Sequence, residues 1–337
     1  MYKIGLDAVL AFGRAAVLAA CAAGYSAGAV ANALPPIAED PEVLKSSTVL
    51  VIDEETGEVL YGKNTAAVVP IASITKLMTA IVTLDANLPL DEQVAVTGDD
   101  VDLYKGTRSR LPVGTTLSRA EMLHLALMAS ENRAASALGH SYPGGAGAFV
   151  AAMNAKAAEL GMKDTRFVEA TGLSSENVSS APDLARLVQA AKAYPLIREY
   201  STSTALDVEV RGRKVAFGNT NGLVRSGDWE IGVSKTGFIR EAGRCLVMQA
   251  RLASRSVIIV LLDSWGSFTR IADAARIRAW LEPGYSMPVL NAKPVKKASA
   301  KGATVKRTAA QGATVKHTSA KGSGSRVKVS IKPAKAR

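Results

Sequence analysis

Arg244-Cys245-Leu246-Val247-Met248-Gln249-Ala250-Arg251-Leu252 and, three residues later, Ser256-Val257-Ile258-Ile259-Val260-Leu261-Leu262-Asp263 are apolar runs of strand length. Runs this short, rich in β-branched residues and bounded by polar ones, read as buried strands. Residues 229–234 form a third strand candidate just upstream. At the other end of the body, 47–53 reads as a strand, Glu54-Glu55-Thr56-Gly57 as a turn and 58–61 as the returning strand of a hairpin. Between these ends the period changes. From Ser73 onward, Leu77, Met78, Ile81, Val82 and Leu84 recur at helical spacing, and 119–129, 133–139, 147–160 and 182–193 continue it. A second hairpin signal, 208–217, breaks at Arg211-Gly212-Arg213, and an amphipathic helix at 269–281 closes the body before Pro283-Gly284. Strands at both ends with helices between predict an α+β fold whose first and last segments share one antiparallel sheet.

The composition narrows the chemistry. The chain has 337 residues, 48% of them hydrophobic and 21% charged, which is a folding composition. Two cysteines, Cys21 and Cys245, cannot build a disulfide framework or a four-ligand zinc site, and three histidines leave little for His-based catalysis. Any hydrolase reading must therefore run on Ser, Lys or carboxylates, and no cofactor or metal is expected. Cys245, inside its apolar run, reads as a small buried hydrophobe.

The net charge of +11 is concentrated at one end: residues 291–337 hold thirteen Lys or Arg and no Asp or Glu, so the remainder is near neutral. That argues against nucleic acid as a partner of the body. The tail repeats itself, Gly302-Ala303-Thr304-Val305-Lys306 returning as Gly312-Ala313-Thr314-Val315-Lys316, and offers little to bury. It is expected to be disordered, either merely solvated or a tether to an anionic wall or membrane surface.

The first residues read as a leader. Lys3 and Arg14 precede an uncharged stretch at 15–38, with cleavage triplets at Ala29-Val30-Ala31 and Ala31-Asn32-Ala33. A signal peptide over 1–31, and hence export to the periplasm, is the expectation. An uncleaved anchor and a lipoprotein box at Leu18-Ala19-Ala20-Cys21 stay open as alternatives. This leaves a folded body over 39–288.

Three short motifs carry chemistry. Ser73-Ile74-Thr75-Lys76 opens a helix, so Ser and Lys three apart share a face. Ser there lies at the positive end of the helix dipole, and a desolvated Lys beside another cation can act as a base. Ser130-Glu131-Asn132 follows an apolar helix, where Ser130 also suits a plain N-cap. Lys235-Thr236-Gly237 is read as the end of the 229–234 strand, with a charge and a hydroxyl for a carboxylate and a glycine for close approach of a substrate along the sheet edge. Each motif alone is common. Their ordered combination is that of penicillin-binding proteins and β-lactamases.

With Pro70-Ile71-Ala72 before Ser73, Arg133-Ala134-Ala135 after Asn132, Asn219-Thr220-Asn221, and Phe238 after Gly237, the chain resembles the low-molecular-mass penicillin-binding proteins, the serine D-alanyl-D-alanine peptidases. It looks most like their endopeptidase branch, the penicillin-binding protein 7/8 type, in which Glu is usual at the position of Glu131. The resemblance implies a β-lactamase/transpeptidase-like fold: a mainly antiparallel sheet sandwiched by helices, beside an all-helical lobe. It implies Ser73 as acylated nucleophile, Lys76 as its base, and Ser130 as proton relay to the leaving amine. It further implies Asn132 on the substrate backbone, Lys235 and Thr236 on the substrate carboxylate, and an oxyanion hole from the N–H groups of Ser73 and Phe238. The implied substrates are D-alanyl-diaminopimelate cross-links of peptidoglycan, with β-lactams as covalent inhibitors. A D-alanyl-D-alanine carboxypeptidase is the nearest alternative. A β-lactamase using Glu169 follows, and then a wall-binding module without turnover.

Overall fold

The computed structural model describes residues 44–103, 105–282 and 284. The leader, Cys21 and the basic tail lie outside them.

The two apolar runs are the neighbouring central strands of a five-stranded antiparallel sheet. Its order is Val59–Lys63, Ser46–Asp53, Arg255–Ser264, Gly243–Leu252, Glu230–Ile239. First and last segments do share it: Thr48 stands opposite Leu262, and Val247 opposite Val260. Alternation along one strand explains why the runs are apolar throughout. Cys245 and Val247 face one side, where they join Val260 and Leu262 in a core shared with the helices between the hairpins. Leu246, Met248 and Ala250 face the other side and pack with Ile259, Leu261 and the closing helix Thr269–Leu281. Each such side chain removed from water contributes about 1.5–3 kcal/mol, so a strand covered on both faces is anchored twice over.

The closing helix is tied to the opening strand by a buried carboxylate. Asp273 accepts hydrogen bonds from the backbone N–H of Ser46 at 2.7 Å and from its hydroxyl at 2.7 Å. The opposite side of the sheet carries Ala181–Lys192 and, beyond it, a helical lobe including Lys76–Asp85, Arg119–Met128, Asn132–His140 and Gly145–Glu159. The expected α+β architecture is the observed one.

Two local expectations need correction, and one element had none. Lys235-Thr236-Gly237 is not a strand end: Glu230–Ile239 runs ten residues, and its polar middle pairs with Val247, Leu246 and Cys245. Ser130 is not the N-cap of the next helix, because Glu131 takes that position and accepts the Arg133 N–H. A helix at Pro195–Thr202 went unanticipated, although Pro195 at its first turn was a usable signal. The Glu230–Ile239 strand is an edge of the sheet, and the catalytic motifs gather along it.

Candidate active site

Ser73 lies in a single 3-10 turn, Ala72–Thr75, that leads directly into Lys76–Asp85. Its placement depends on two glycines. Gly237 lets the edge strand approach so closely that a Cβ there would stand 3.0 Å from the Ile71 carbonyl oxygen and 3.2 Å from the Ser73 nitrogen. Gly172, at φ +81°, presses on the residue before Ser73: a Cβ would lie 1.9 Å from the Ala72 carbonyl oxygen. Ala72 itself adopts φ +48°, and Ser130 adopts φ +56°. Both are costly for residues with a Cβ, and both adjoin the proposed chemistry.

Lys76 is fully buried and uses three contacts. Its Nζ lies 3.0 Å from Ser73 Oγ, 2.8 Å from Asn132 Oδ1 and 2.6 Å from the Thr171 carbonyl oxygen. Burial pushes its pKa down to about 8, against the opposing pull of the Glu169 and Glu131 carboxylates. A neutral amine has two hydrogens and one lone pair. The two oxygens that cannot donate take the hydrogens, and the lone pair is left facing the Ser73 hydroxyl. The triangle therefore fixes the direction of proton transfer.

A second buried lysine serves the opposite wall. Lys235 Nζ donates to Ser130 Oγ at 2.8 Å and to the Thr236 carbonyl at 3.0 Å. Burial, then the nearby Lys76 and Arg270, holds its pKa well below the usual lysine value. Two such cations in one dry site disfavour each other, which favours the neutral form of one of them. Thr236 Oγ1 meets Thr220 Oγ1 at 2.6 Å, so the Asn219-Thr220-Asn221 segment supports the clamp from behind.

These groups open into a groove of about 670 Å³, lined by Ser73, Ser130, Asn132, Thr236, Gly237 and Phe238 among others. Lys76 and Lys235 lie buried behind its hydroxyls. All eight residues singled out in the sequence thus converge. Phe238 stays half exposed, its ring covered by the Arg244 guanidinium at 4.6 Å.

Other residues were missed. Arg270 donates to the Gly237 carbonyl at 3.2 Å and also lines the groove, with its Nε buried and unpartnered. In sequence it was one of several arginines on a helix face. Thr171 acts through its carbonyl, which no side-chain pattern reports.

Glu169 has its carboxylate committed to its own loop. It accepts from the backbone of Thr171 and Gly172, each at 2.6 Å, and from Asn177 Nδ2 at 2.9 Å. It braces the segment that presents Thr171 to Lys76. Glu131 turns away from the groove to accept from Ser109 Oγ at 2.6 Å. His124 stacks on Tyr200, and Cys245 is buried with its thiol pKa pushed up to about 11 by desolvation, so both read as packing groups.

A family model described as D-alanyl-D-alanine carboxypeptidase matches residues 36–266. The chain is 51% identical over 262 residues to a D-alanyl-D-alanine endopeptidase of Pseudomonas aeruginosa, covering 77% of this chain and 84% of that protein. It is 49% identical to a D-alanyl-D-alanine endopeptidase of Escherichia coli, covering 75% and 82%. Among solved structures, a Streptomyces DD-transpeptidase superposes with a TM-score of 0.66 at 28% identity, covering 70% of this chain and 97% of that one.

Proposed function

The chain belongs to the D-alanyl-D-alanine carboxypeptidase family, and we propose that it is a serine D,D-endopeptidase hydrolysing the D-alanyl-diaminopimelate cross-links of peptidoglycan. The observation that carries this reading is the Lys76 triangle, which holds Nζ 3.0 Å from Ser73 Oγ with its other two contacts on oxygens that only accept. Relatives near half identity bear the endopeptidase name, whereas a Bacillus subtilis carboxypeptidase is 32% identical.

In this mechanism Lys76 takes the Ser73 proton as Oγ attacks the D-alanyl carbonyl carbon. The backbone N–H groups of Ser73 and Phe238 receive the oxyanion. On collapse the C–N bond breaks and the leaving amine takes a proton from Ser130, whose hydroxyl is held by Lys235; the proton that Lys76 took from Ser73 then restores the Ser130 hydroxyl, so that Lys76 is a neutral amine again. The residue is left as an ester on Ser73. Water then attacks that ester, Lys76 takes its proton, and the free carboxylate departs as Ser73 is reprotonated. Lys235, Thr236 and Arg270 hold the carboxylate beside the scissile amide, a group shared by D-alanine and by the diaminopimelate centre of a cross-link. A penicillin carboxylate fits the same clamp, and attack of Ser73 Oγ on its lactam carbonyl opens the ring and leaves the drug as an ester on the enzyme. Asn132 spans Lys76 and the substrate backbone.

The leader at 1–31 directs the protein to the periplasm, the catalytic body occupies 39–288, and the basic tail at 291–337 adheres to the anionic wall. Deleting the tail should lower pelleting with isolated cell walls at low salt, and unchanged pelleting removes that role.

The primary test is mass analysis of a cross-linked muropeptide dimer that also carries a terminal D-alanine. Conversion to monomers, abolished in Ser73→Ala, is the expected result. Loss of one alanine with the cross-link intact would make the chain a carboxypeptidase, as the family description has it.

A further inference from the structure

The order of groups along the edge strand gives the groove a direction. Lys235 and Thr236 mark the leaving side, and Ser73 N sits beside Gly237. The strand then runs past Phe238 and Ile239 into the turn holding Arg240 and Glu241. A substrate whose carboxylate is clamped at Lys235 and whose carbonyl sits at Ser73 must send its acyl portion toward Glu241. At about 3.3 Å per residue, that turn begins within about 10 Å of Phe238, the reach of one long side chain.

Lys105 closes this end from the other wall. Its Nζ meets Glu241 Oε1 at 2.5 Å across 136 residues of sequence, and both side chains line the groove. The segment carrying Lys105 is braced. Asp102 accepts the N–H of Lys105 at 2.9 Å and of Thr107 at 2.8 Å, and Thr107 Oγ1 accepts from Asn132 Nδ2 at 3.2 Å. Glu131 holds Ser109 a little further on. A cation and an anion are therefore fixed to opposite walls at the acyl end, about one side chain away from the reacting carbonyl. Both are partly exposed, at 29% and 43%, so the pair adds little stability and costs little to open.

We propose that Lys105 and Glu241 are specificity-determining residues that together receive a zwitterionic α-amino-acid end group on the side chain of the residue preceding the scissile D-alanine. This rests on the reading of the chain as a D-alanyl-D-alanine peptidase. The carboxylate of the end group goes to Lys105 and its ammonium to Glu241, each replacing the other's partner. Arg240, also on the groove, adds attraction for the carboxylate. Diaminopimelate with its distal end free has this group, and lysine, which lacks the distal carboxylate, satisfies only Glu241. The sites would thus sort stem peptides by their third residue, on the side of the cut opposite to the carboxylate clamp.

The test uses acylation, which does not depend on whether cross-links or terminal alanines are the preferred substrate. A penicillin with an α-aminoadipoyl side chain places a zwitterion one carbon short of the diaminopimelate end. Its acylation rate constant, measured by intact mass, is compared with that of its N-acetylated form. Wild-type protein is expected to favour the zwitterion by about tenfold or more. The ratio should fall to within about twofold of unity in Glu241→Gln, whereas in Lys105→Ala, where Glu241 still reads the ammonium, both compounds should lose about tenfold relative to benzylpenicillin, which carries no end group. Because each variant supplies its own ratio, a general loss of rate does not mimic the effect. A wild-type ratio near one, a ratio that survives in Glu241→Gln, or a loss in Lys105→Ala that benzylpenicillin shares equally, overturns the proposal. Acylation of the wild type by neither compound would sink the peptidase reading and this inference with it, whereas a preserved ratio beside an uncut muropeptide dimer would sink the endopeptidase reading alone.

Discussion

The backbone carbonyl oxygen of Thr171 sits 2.6 Å from Lys76 Nζ, closer than the serine the lysine is there to activate. A carbonyl can only accept. It therefore claims one amine hydrogen whatever the protonation state, and Asn132 Oδ1 claims another. Ser73 is left with the third position, which is a hydrogen in the ammonium and a lone pair in the amine. The site is switched by one proton without any atom moving.

That arrangement sets the pH profile. With the Lys76 pKa lowered to about 8, the free enzyme is inactive as ammonium and active as amine. Acylation by benzylpenicillin should rise about tenfold per pH unit below 8 and level off above it. Lys76→Arg, cationic at every accessible pH, should lose at least about a thousandfold and show no such rise. Stopped-flow or mass-based acylation rates across pH 6–10 check both.

Glu169 is expected to matter for acylation and not selectively for hydrolysis of the acyl-enzyme. Glu169→Gln weakens the brace behind Thr171, and acylation should slow by roughly tenfold. A β-lactamase-like role predicts the opposite pattern, in which acyl-enzyme forms at the normal rate and then persists. Pre-steady-state acylation and acyl-enzyme lifetime, measured on the same sample, separate the two.

Gly172 and Gly57 share a left-handed backbone but differ in surroundings. Gly57, at φ +73°, has nothing within 4 Å of a built Cβ, whereas Gly172 faces the Ala72 carbonyl. Gly57→Ala should cost about 1 kcal/mol in denaturant unfolding. Gly172→Ala adds a backbone clash to the same strain and should cost more than about 3 kcal/mol or leave Ser73 unreactive toward penicillin.

Arg270 should reveal itself by the carboxylate it meets. Arg270→Gln is expected to slow acylation by a carboxylate-bearing penicillin about 10- to 100-fold. The loss should be much smaller with the same compound esterified at that carboxylate, which offers no charge to hold. Equal losses with both compounds would reduce Arg270 to a support for the Gly237 carbonyl.

Legibility in the sequence followed the physics of each feature. Leu246 and Val247 announce a doubly covered strand because every consecutive side chain must avoid water. Lys235-Thr236-Gly237 looked like a strand end because its polar residues interrupt that pattern. They remain within the sheet since each polar atom finds a partner, Ser130 for Lys235 and Thr220 for Thr236. Ser73 and Lys76 were recoverable from spacing, which local helical geometry fixes, whereas Asn132 came with the resemblance. Ser130 was recoverable only from the company of the other motifs, because its left-handed backbone leaves no trace in residue type. Arg270 and Thr171 approach from distant segments, one by a long side chain and one by a carbonyl. Neither position differs in composition from ordinary neighbours.

The sheet is left one strand short on the side where Glu230–Ile239 ends it. Bare edges of this kind invite self-association, since any extended backbone can complete the ladder. Here the turn Ala72–Thr75 stands directly over Gly237 and roofs the edge into a slot. A single slender peptide can slide beneath that roof, while the border of another folded sheet is too thick to enter. The same overhang that brings the nucleophile to its target therefore also guards this border of the sheet against pairing with another copy.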